Sequence, residues 1–239
     1  MAHSIVLPNE FESDAINFLP PKQNKLGGQS VLVNYNPDGS DRGGAFILQT
    51  CRVRIPFGID SSKPENGGPV KYHISVSMAN DETQNEQLKQ FTQNVRSIDT
   101  KAKTHPQESE AWFGKKLSSE LVNEFYKSAE KFPKDRKWPS NLKVKLPFDK
   151  KGAPQFVLYD EKKKPIEIVD ADGNVNTDAI PKGCEAVCLV QSTGVWFVGK
   201  TQYGVGYKLL QAKIYKSNKL SGYSIVDSED EAEEEEDVE

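Results

Sequence analysis

Cysteine and histidine are both scarce in this sequence, which contains three of each. An odd and small number of cysteines argues against the disulfide framework of a small secreted domain. Cys184 and Cys188 have no histidine or third cysteine near them in the sequence, and both alternate with apolar residues. The pattern predicts buried strand cysteines rather than metal ligands, and we expect neither a metal nor another cofactor.

Long apolar runs are also missing. No stretch of the sequence approaches the roughly 20 apolar residues that a membrane-spanning helix needs. The first residues lack the basic segment followed by an apolar segment that marks a signal peptide. We therefore expect a soluble, intracellular protein that has no membrane partner.

Signatures of catalysis are few. The octapeptide GVWFVGKT at 194–201 matches the P-loop pattern G-x-x-x-x-G-K-[ST]. Its four middle residues are bulky and two are β-branched, which suits a strand better than a phosphate-binding loop that opens a helix. We predict that His73 is a solvent-facing strand residue, and no nucleophile elbow or metal-ligand cluster is visible. We therefore expect no enzymatic activity.

Charge is unevenly distributed along the 239 residues. The formal net charge is −4, but ten of the 35 acidic residues lie within residues 227–239. Residues 1–226 therefore carry 31 basic and 25 acidic side chains, a net charge of +6. The acidic residues of this tail are Asp227, Glu229, Asp230, Glu231, Glu233, Glu234, Glu235, Glu236, Asp237 and Glu239.

The acidic tail cannot pack into a core, and we predict that residues 227–239 are disordered. Because the rest of the chain is basic, we expect the tail to mimic phosphate charge, compete with nucleic acid for its own domain, and dock partner proteins. A plain solubility tail is the alternative.

Alternating apolar residues predict strands in most of the chain. The predicted strands cover residues 30–35, 45–55, 71–78, 142–148, 155–160, 164–170, 185–192 and 207–215. In strand 71–78 the predicted inward residues are Tyr72, Ile74, Val76 and Met78. In strand 45–55 we expect Thr50, Arg52 and Arg54 to point outward, beside Phe46 and Leu48.

Helical spacing replaces this alternation at about 80–132. Two helices are predicted there, from a cap at Asn80 or Asp81 to about residue 103 and from about 118 to 131. This order does not fit a doubly wound parallel sheet. It predicts a mainly β (α+β) fold with a helical insertion: an OB-fold, a five-stranded Greek-key barrel formed by residues 1–226.

Basic and aromatic residues are interleaved near the end of the predicted domain. Residues 186–226 contain no acidic residue but five lysines and six aromatic residues, and residues 134–164 contain ten basic residues against four acidic ones. Lysines neutralise phosphates, and flat rings stack on unpaired bases of any sequence. The predicted nucleic-acid-binding residues are Arg52, Arg54, Lys71, Lys143, Lys145, Lys150, Lys151, Trp196, Phe197, Lys200, Tyr203, Tyr207 and Lys208. Core packing of the rings and solvated hairpin turns are the alternatives.

Four stretches, in this order, carry a resemblance to a known family: KYHISVSM, LKVKLPFDKKGAPQFVLYDEKKKPIEI, IPKGCEAVCLVQSTGVWF and YGVGYKLLQAKIY, before an acidic tail. The layout resembles the replication single-stranded-DNA-binding proteins of podophages and their relatives in large eukaryotic DNA viruses. The resemblance implies an OB-fold with an inserted helix, frequent formation of a homodimer, and action at replication sites of an infected host cell. It also implicates the basic residues of 143–151 and the aromatic residues of 196–207 in DNA binding.

In this family the tail contacts replication proteins such as a polymerase or a helicase–primase. The phage tails end in an aromatic residue, whereas this sequence ends in Asp237, Val238 and Glu239, which puts docking through a terminal ring in doubt.

We therefore expect sequence-independent binding of single-stranded DNA in viral DNA replication, recombination and repair. RNA in place of DNA stays open. Two other classes remain as alternatives: an acidic-tailed chaperone or scaffold that binds basic proteins, and a P-loop NTPase.

Overall fold

The computed structural model describes residues 5–23, 28–39, 44–64, 67–135, 137–170 and 172–216. The acidic tail, 227–239, lies outside these residues. Their helices are α1 (Glu86–Glu108) and α2 (Ser119–Phe125). Their strands are β1 (Ile5–Val6), β2 (Ile16–Phe18), β3 (Lys22–Gln23), β4 (Gln29–Val31), β5 (Val33–Tyr35), β6 (Gly44–Ala45), β7 (Ile47–Gln49), β8 (Val53–Ile55), β9 (Asp60–Ser62), β10 (Lys71–Ser77), β11 (Glu130–Lys131), β12 (Asn141–Leu146), β13 (Val157–Tyr159), β14 (Pro165–Ile166), β15 (Cys184–Val198) and β16 (Gln202–Tyr215).

The long antiparallel hairpin of β15 and β16 is the centre of the main sheet. Its ladder runs from the pair Glu185 and Tyr215 to the pair Val198 and Gln202. Strands β4, β7 and β8 pair with β15, whereas β12 and β13 run parallel to β16. The sheet continues from β12 to β10 and β9, and β2, β5 and β6 form a second, three-stranded sheet.

The predicted mainly β fold with a helical insertion is confirmed in its coarse form. The main sheet runs in the order β1-β7-β15-β16-β12-β10-β9, and in the described part of the chain hydrogen bonds do not close it into a ring. Strand pairing therefore gives an open sheet rather than a closed five-stranded barrel. Among the described residues, neither helix is long and apolar enough to cross a membrane.

The core lies between the inner face of the main sheet and α1. One turn after another, α1 buries Phe91, Val95, Ile98 and Ala102, which follow the helical spacing of its sequence. From the sheet, β10, β12 and β16 contribute the buried side chains Ile74, Val76, Leu142, Val144, Val205 and Leu209. Burial on alternate positions of β12 leaves the intervening side chains on the other face of the sheet.

The helices differ from the prediction at their ends. Asn85, not Asn80 or Asp81, caps α1, because its side chain accepts a hydrogen bond from the backbone N–H of Leu88 at 3.1 Å. Asn80 is instead tied into the preceding turn by hydrogen bonds with Thr83. The second helix ends at Phe125 rather than near 131, because the chain turns extended there and Tyr126 bridges to Tyr203 of β16.

Two predicted strands are each divided in the structure. Residues 30–35 form β4 and β5, which belong to different sheets. Residues 45–55 include β7 and β8, and residues 46–51 are covered on both faces except at Gln49, so Phe46, Leu48 and Thr50 are buried. The outward position predicted for Thr50 is wrong because its hydroxyl accepts a hydrogen bond from the backbone N–H of Cys188 at 2.9 Å.

The three cysteines are free and buried. Cys184 and Cys188 lie in β15, as predicted, and burial raises the pKa of their thiols to about 11 and about 12. Burial also raises the pKa of the Cys51 thiol to about 11. These thiols are therefore protonated and packed as small apolar groups.

Candidate nucleic-acid interface

Four lysines from three neighbouring strands lie on the outer face of the main sheet: Lys71 on β10, Lys143 and Lys145 on β12, and Lys208 on β16. Strand β12 lies between the other two, with Lys145 opposite His73 of β10 and beside Lys208. Because Leu142, Val144 and Leu146 of β12 are buried, the alternating lysines point away from the core. We call these four lysines the basic face.

The basic face concentrates positive charge without a described counter-ion. Desolvation lowers the pKa of Lys145, and the neighbouring ammonium groups of Lys71 and Lys143 lower it further. In the part of the chain that the structure describes, no carboxylate forms an ion pair with any of the four lysines. An anion that binds near clustered ammonium groups reduces the electrostatic repulsion between them.

His73 lies among these lysines but is covered, with 8% of its surface exposed. The prediction of a solvent-facing histidine is therefore wrong, and strand β9 pairs with β10 at this residue. Its Nε2 lies 3.2 Å from the carboxylate of Asp60 on β9. Burial and the charge of Lys143 lower the pKa of His73, although Asp60 acts in the opposite direction.

A groove of about 290 Å³ opens where β12 and β16 separate. The segment that follows α2 spans this gap: the backbone N–H of Lys127 donates to the carbonyl of Tyr203 at 2.8 Å, and Lys131 pairs with Asn141 of β12. The side chains that line the groove include Lys127, Lys131, Lys143, Lys145 and Trp196. Four cations and one indole ring therefore share a single groove.

The indole of Trp196 lies over two glycines of the neighbouring strand. Trp196 pairs with Gly204 across the hairpin, and a Cβ atom on Gly204 would lie 2.9 Å from the indole ring. A Cβ atom on Gly206, the next residue of β16 on the same face, would lie 3.5 Å from it. These glycines let one face of the ring pack on the sheet while the half-buried side chain borders the groove.

The other three predicted stacking residues lie on the inner face of the hairpin. Tyr203 is 0% and Tyr207 1% exposed, and their predicted role in base stacking is wrong because fully buried rings cannot meet a base. Tyr207 borders the groove without exposing its ring. Phe197 is half-buried and stacks on Tyr203 with 6.0 Å between ring centroids. It also contacts Trp112 and Phe113 edge-on.

Arg52 and Arg54 are exposed on β8, at the opposite end of the β15–β16 hairpin from Trp196. The guanidinium of Arg52 is 2.6 Å from the carboxylate of Glu185 and 4.2 Å from the centroid of the Tyr215 ring. Its charge is therefore already paired, and neither arginine lines the groove.

Three further predicted lysines lie in exposed turns. Lys150 and Lys151 belong to the turn after β12, which the Asp149 side chain stabilises by accepting hydrogen bonds from the backbone of Lys151 and Ala153. Lys200 lies in the turn of the β15–β16 hairpin. The P-loop-like residues 194–201 are the end of β15 and this turn, as their bulky side chains predict.

Sequence reasoning missed Lys127 and Lys131. The apolar stripe of α2 continues in the sequence as far as Ala129, which placed both lysines on a predicted helix. In the structure the chain has left the helix, and β11 carries Lys131 to the edge of β12. The sequence signal that was available is the density of lysines around 127–137.

Comparisons with known proteins give a family and a set of similar structures. A family of unknown function (DUF5871) matches residues 73–227. A sequence search among curated proteins found no match.

Similar structures include single-stranded DNA-binding proteins of bacteriophages, the group whose layout the sequence resembles. The protein from bacteriophage Enc34 in complex with ssDNA is 14% identical, with a TM-score of 0.46 over 86% of this chain and 99% of that chain. The protein encoded by bacteriophage T7 is 12% identical, with a TM-score of 0.46 over 82% of this chain and 96% of that chain. The DUF5871 match covers well over half of the sequence, and the chain therefore belongs to this family of unknown function.

Proposed function

We propose that this protein binds single-stranded DNA, without enzymatic activity, in the groove between β12 and β16. The observation that carries the proposal is the combination of four lysines and the half-buried Trp196 in one groove. Lysines neutralise the phosphates of a single strand, and an indole ring stacks on an unpaired base.

The groove has little means of reading a base sequence. Its described lining also includes Ser128, Ala129, Val205, Gly206 and Tyr207, but no asparagine, glutamine, arginine or carboxylate. These side chains, together with lysine, are the ones that form paired hydrogen bonds with base edges, and in this proposal the four lysines bind phosphates instead. We therefore expect affinity that depends on salt and on single-strandedness far more than on sequence.

We also propose that five strands form an OB-type barrel around the core. Strands β8, β15, β16, β12 and β10 are consecutive neighbours through hydrogen bonds, and β8 packs beside β10. In this arrangement the four lysines of the basic face lie on the outer surface of β10, β12 and β16, so the groove lies on the barrel surface.

The acidic tail supplies the regulatory part of the proposal. Its ten carboxylates complement the basic face, whose lysines have no described carboxylate partner. We propose that the tail competes with DNA for this face and, when displaced, recruits replication proteins during viral DNA replication, recombination and repair. Formation of a homodimer stays a prediction.

The experiment is a fluorescence-anisotropy titration of labelled poly-dT at two salt concentrations, with duplex DNA and poly-U as competitors. We expect tight, salt-sensitive binding that duplex DNA competes for poorly, and the poly-U competition distinguishes DNA from RNA. A Trp196→Ala variant should bind about 5- to 150-fold more weakly, as expected when one base is no longer stacked. Absence of binding at low salt would overturn the proposal and favour a scaffold that binds basic proteins through the acidic tail.

A further inference from the structure

The loop between β11 and β12 exposes two aromatic rings. Phe132 is 66% and Trp138 61% exposed, far more than Trp196 or any aromatic residue of the core. Contiguous exposed apolar surface often marks an interaction site. The groove does not use either ring, since neither lines it.

Hydrogen bonds and prolines restrain the described residues of this loop, 132–135 and 137–140. Its turn is closed by Asp135, whose carboxylate accepts a hydrogen bond from the backbone N–H of Lys137 at 3.1 Å and whose carbonyl accepts one from Trp138 at 3.2 Å. Pro133 and Pro139 restrict the backbone next to the two rings. A restricted loop of this kind presents its rings with little loss of conformational entropy on binding.

Both ends of the loop are anchored to α1. Arg96 donates two hydrogen bonds to the buried carboxylate of Glu130, at 3.0 and 2.7 Å, and Ser140 donates a third. Although burial alone would raise it, the pKa of Glu130 is lowered by these donors, so the carboxylate is ionised and paired. The residues that flank the loop, Glu130 and Ser140, are thereby fixed against one helix.

The two rings line one cavity of about 460 Å³ between the loop and α1. This volume is within the range of about 300–1,000 Å³ that is usual for small-ligand sites. Lys89, Gln93, Arg96 and Asp81 provide polar groups on the opposite wall. Lys137 lies 5.6 Å from the centroid of the Trp138 ring, and its Nζ also lies 3.2 Å from the carboxylate of Asp135.

The cavity and the groove are lined by neighbouring parts of the chain, on opposite sides of β11 and β12. Lys131 lines the groove and the next residue, Phe132, lines the cavity. On β12, Lys143 lines the groove and Ser140, just before the strand, lines the cavity. Among the described residues of 131–138, Lys131, Lys134 and Lys137 are basic and Asp135 is acidic, so this loop favours a polyanion.

We propose that this cavity is a second base-binding site, in which Phe132 and Trp138 hold an unpaired base of the same DNA strand that occupies the groove. The proposal rests on the proposed function. The flat rings supply stacking, Lys134 offers a positive charge to an adjoining phosphate, and Gln93 offers an amide to the base edge. A strand that leaves the groove along β11 reaches the cavity by passing around the loop, which carries Lys131 and Lys134.

The test is the affinity of full-length variants for two oligonucleotides of equal length, one of dT and one of abasic sites. Phe132→Ala and Trp138→Ala should each weaken dT binding by about 5- to 150-fold, while Trp138→Phe retains most of the affinity. Binding of the abasic oligonucleotide should not change, because it has no base to stack. Phe57→Ala is the matched control, since Phe57 is 54% exposed and lines neither site.

Two results would overturn the proposal while leaving the proposed function intact. One is wild-type dT binding by both alanine variants, which would confine DNA to the groove. The other is an equal reduction of affinity for the dT and abasic oligonucleotides, which would mean altered folding or charge rather than the removal of a stacking ring. If the wild-type protein binds neither oligonucleotide, the proposed function itself fails.

Discussion

The hydroxyl of Tyr126 donates a 2.6 Å hydrogen bond to the buried carboxylate of Asp99. The ring of Tyr203 packs against that of Tyr126, with 5.2 Å between the ring centroids. The hydroxyl of Tyr203, by contrast, has no hydrogen-bond partner among the described residues. Burial raises the pKa of Asp99, and its two hydroxyl donors, Tyr126 and Ser128, act against this shift. Two buried tyrosines in contact therefore have opposite roles: one satisfies a buried carboxylate, and the other only fills space.

Replacing each of these tyrosines by phenylalanine should separate the two roles. Tyr203→Phe should leave the free energy of unfolding unchanged or raise it by about 1 kcal/mol, because it removes an unpaired buried hydroxyl. Tyr126→Phe should lower it by about 1–3 kcal/mol, because Asp99 loses a donor. Urea unfolding of the pair measures this difference, and equal losses of stability in both variants would contradict it. Neither variant should change DNA affinity if Tyr203 is a core residue.

Gly204 should not tolerate a side chain. A Cβ atom at this position would meet the carbonyl oxygen of Lys127 as well as the indole of Trp196, 2.9 Å away. Overpacking of this kind costs about 1–3 kcal/mol, so Gly204→Ala should lower the urea midpoint and shift the fluorescence of Trp196. Gly44→Ala is the control, since nothing lies within 4 Å of a Cβ atom there. Equal stability of the two variants would show that Trp196 does not pack on this glycine.

The basic face could be predicted from the sequence because one rule determines it. Strand β12 has one face in the core and one in solvent, so apolar residues and lysines alternate without exception from Leu142 to Leu146. The same alternation placed Lys71 on the outer face of β10. Where a strand has a single buried face, its sequence is enough to assign each side chain to a side.

The aromatic residues of the hairpin could not be assigned in this way. The register of β15 against β16 shifts between Leu189 and Val190 and again between Ser192 and Gly194. Each irregularity changes which residues face inward, and a Tyr or Phe fits either face by its chemistry. The end of α2 was likewise set by a partner distant in sequence, because Tyr126 leaves the helix to bridge to Tyr203.

Removing two lysines of the groove should reduce the salt dependence of binding. In a double Lys143→Ala and Lys145→Ala variant, the slope of log affinity against log salt should fall by about 0.7 for each phosphate that the variant no longer neutralises. The control is Lys162→Ala with Lys164→Ala, in the exposed turn between β13 and β14, which removes the same charge away from the groove. Equal slopes in the two double variants would place the DNA elsewhere.

Deleting residues 227–239 should tighten DNA binding at low salt, because the deletion removes ten carboxylates that compete for the basic face. The increase in affinity should shrink as salt is added, since screening weakens the binding of both the tail and the DNA. Anisotropy titrations of the full-length and shortened chains measure this increase. A chain with Gln in place of Glu233, Glu234, Glu235 and Glu236 should show an intermediate affinity, and unchanged affinity in both would contradict competition by the tail.

His73 should report on anions bound to the basic face. Its pKa is lowered from the ordinary value of 6.5 by burial and by Lys143, whereas Asp60 acts against this shift. A folded-state pKa below the unfolded value means that the unfolded chain binds the proton more readily. The stability that His73 contributes is therefore complete above about 6.5 and is lost as the pH falls through the folded-state pKa. A His73→Gln variant should lose less stability over that range.

Phosphates on the basic face should shift this pKa in the opposite direction. An anion beside Lys143, Lys145 and Lys71 offsets the positive charges that disfavour a protonated imidazole, so bound DNA should raise the pKa of His73. The NMR shift of its ring protons, followed through a pH titration with and without a dT oligonucleotide, measures the change. His105 is the internal control: burial also lowers its pKa, but it lies on α1 beside Phe18 and Trp112, away from the groove. If both histidines shift equally, the effect is general; a shift confined to His73 places phosphate at β10 and β12.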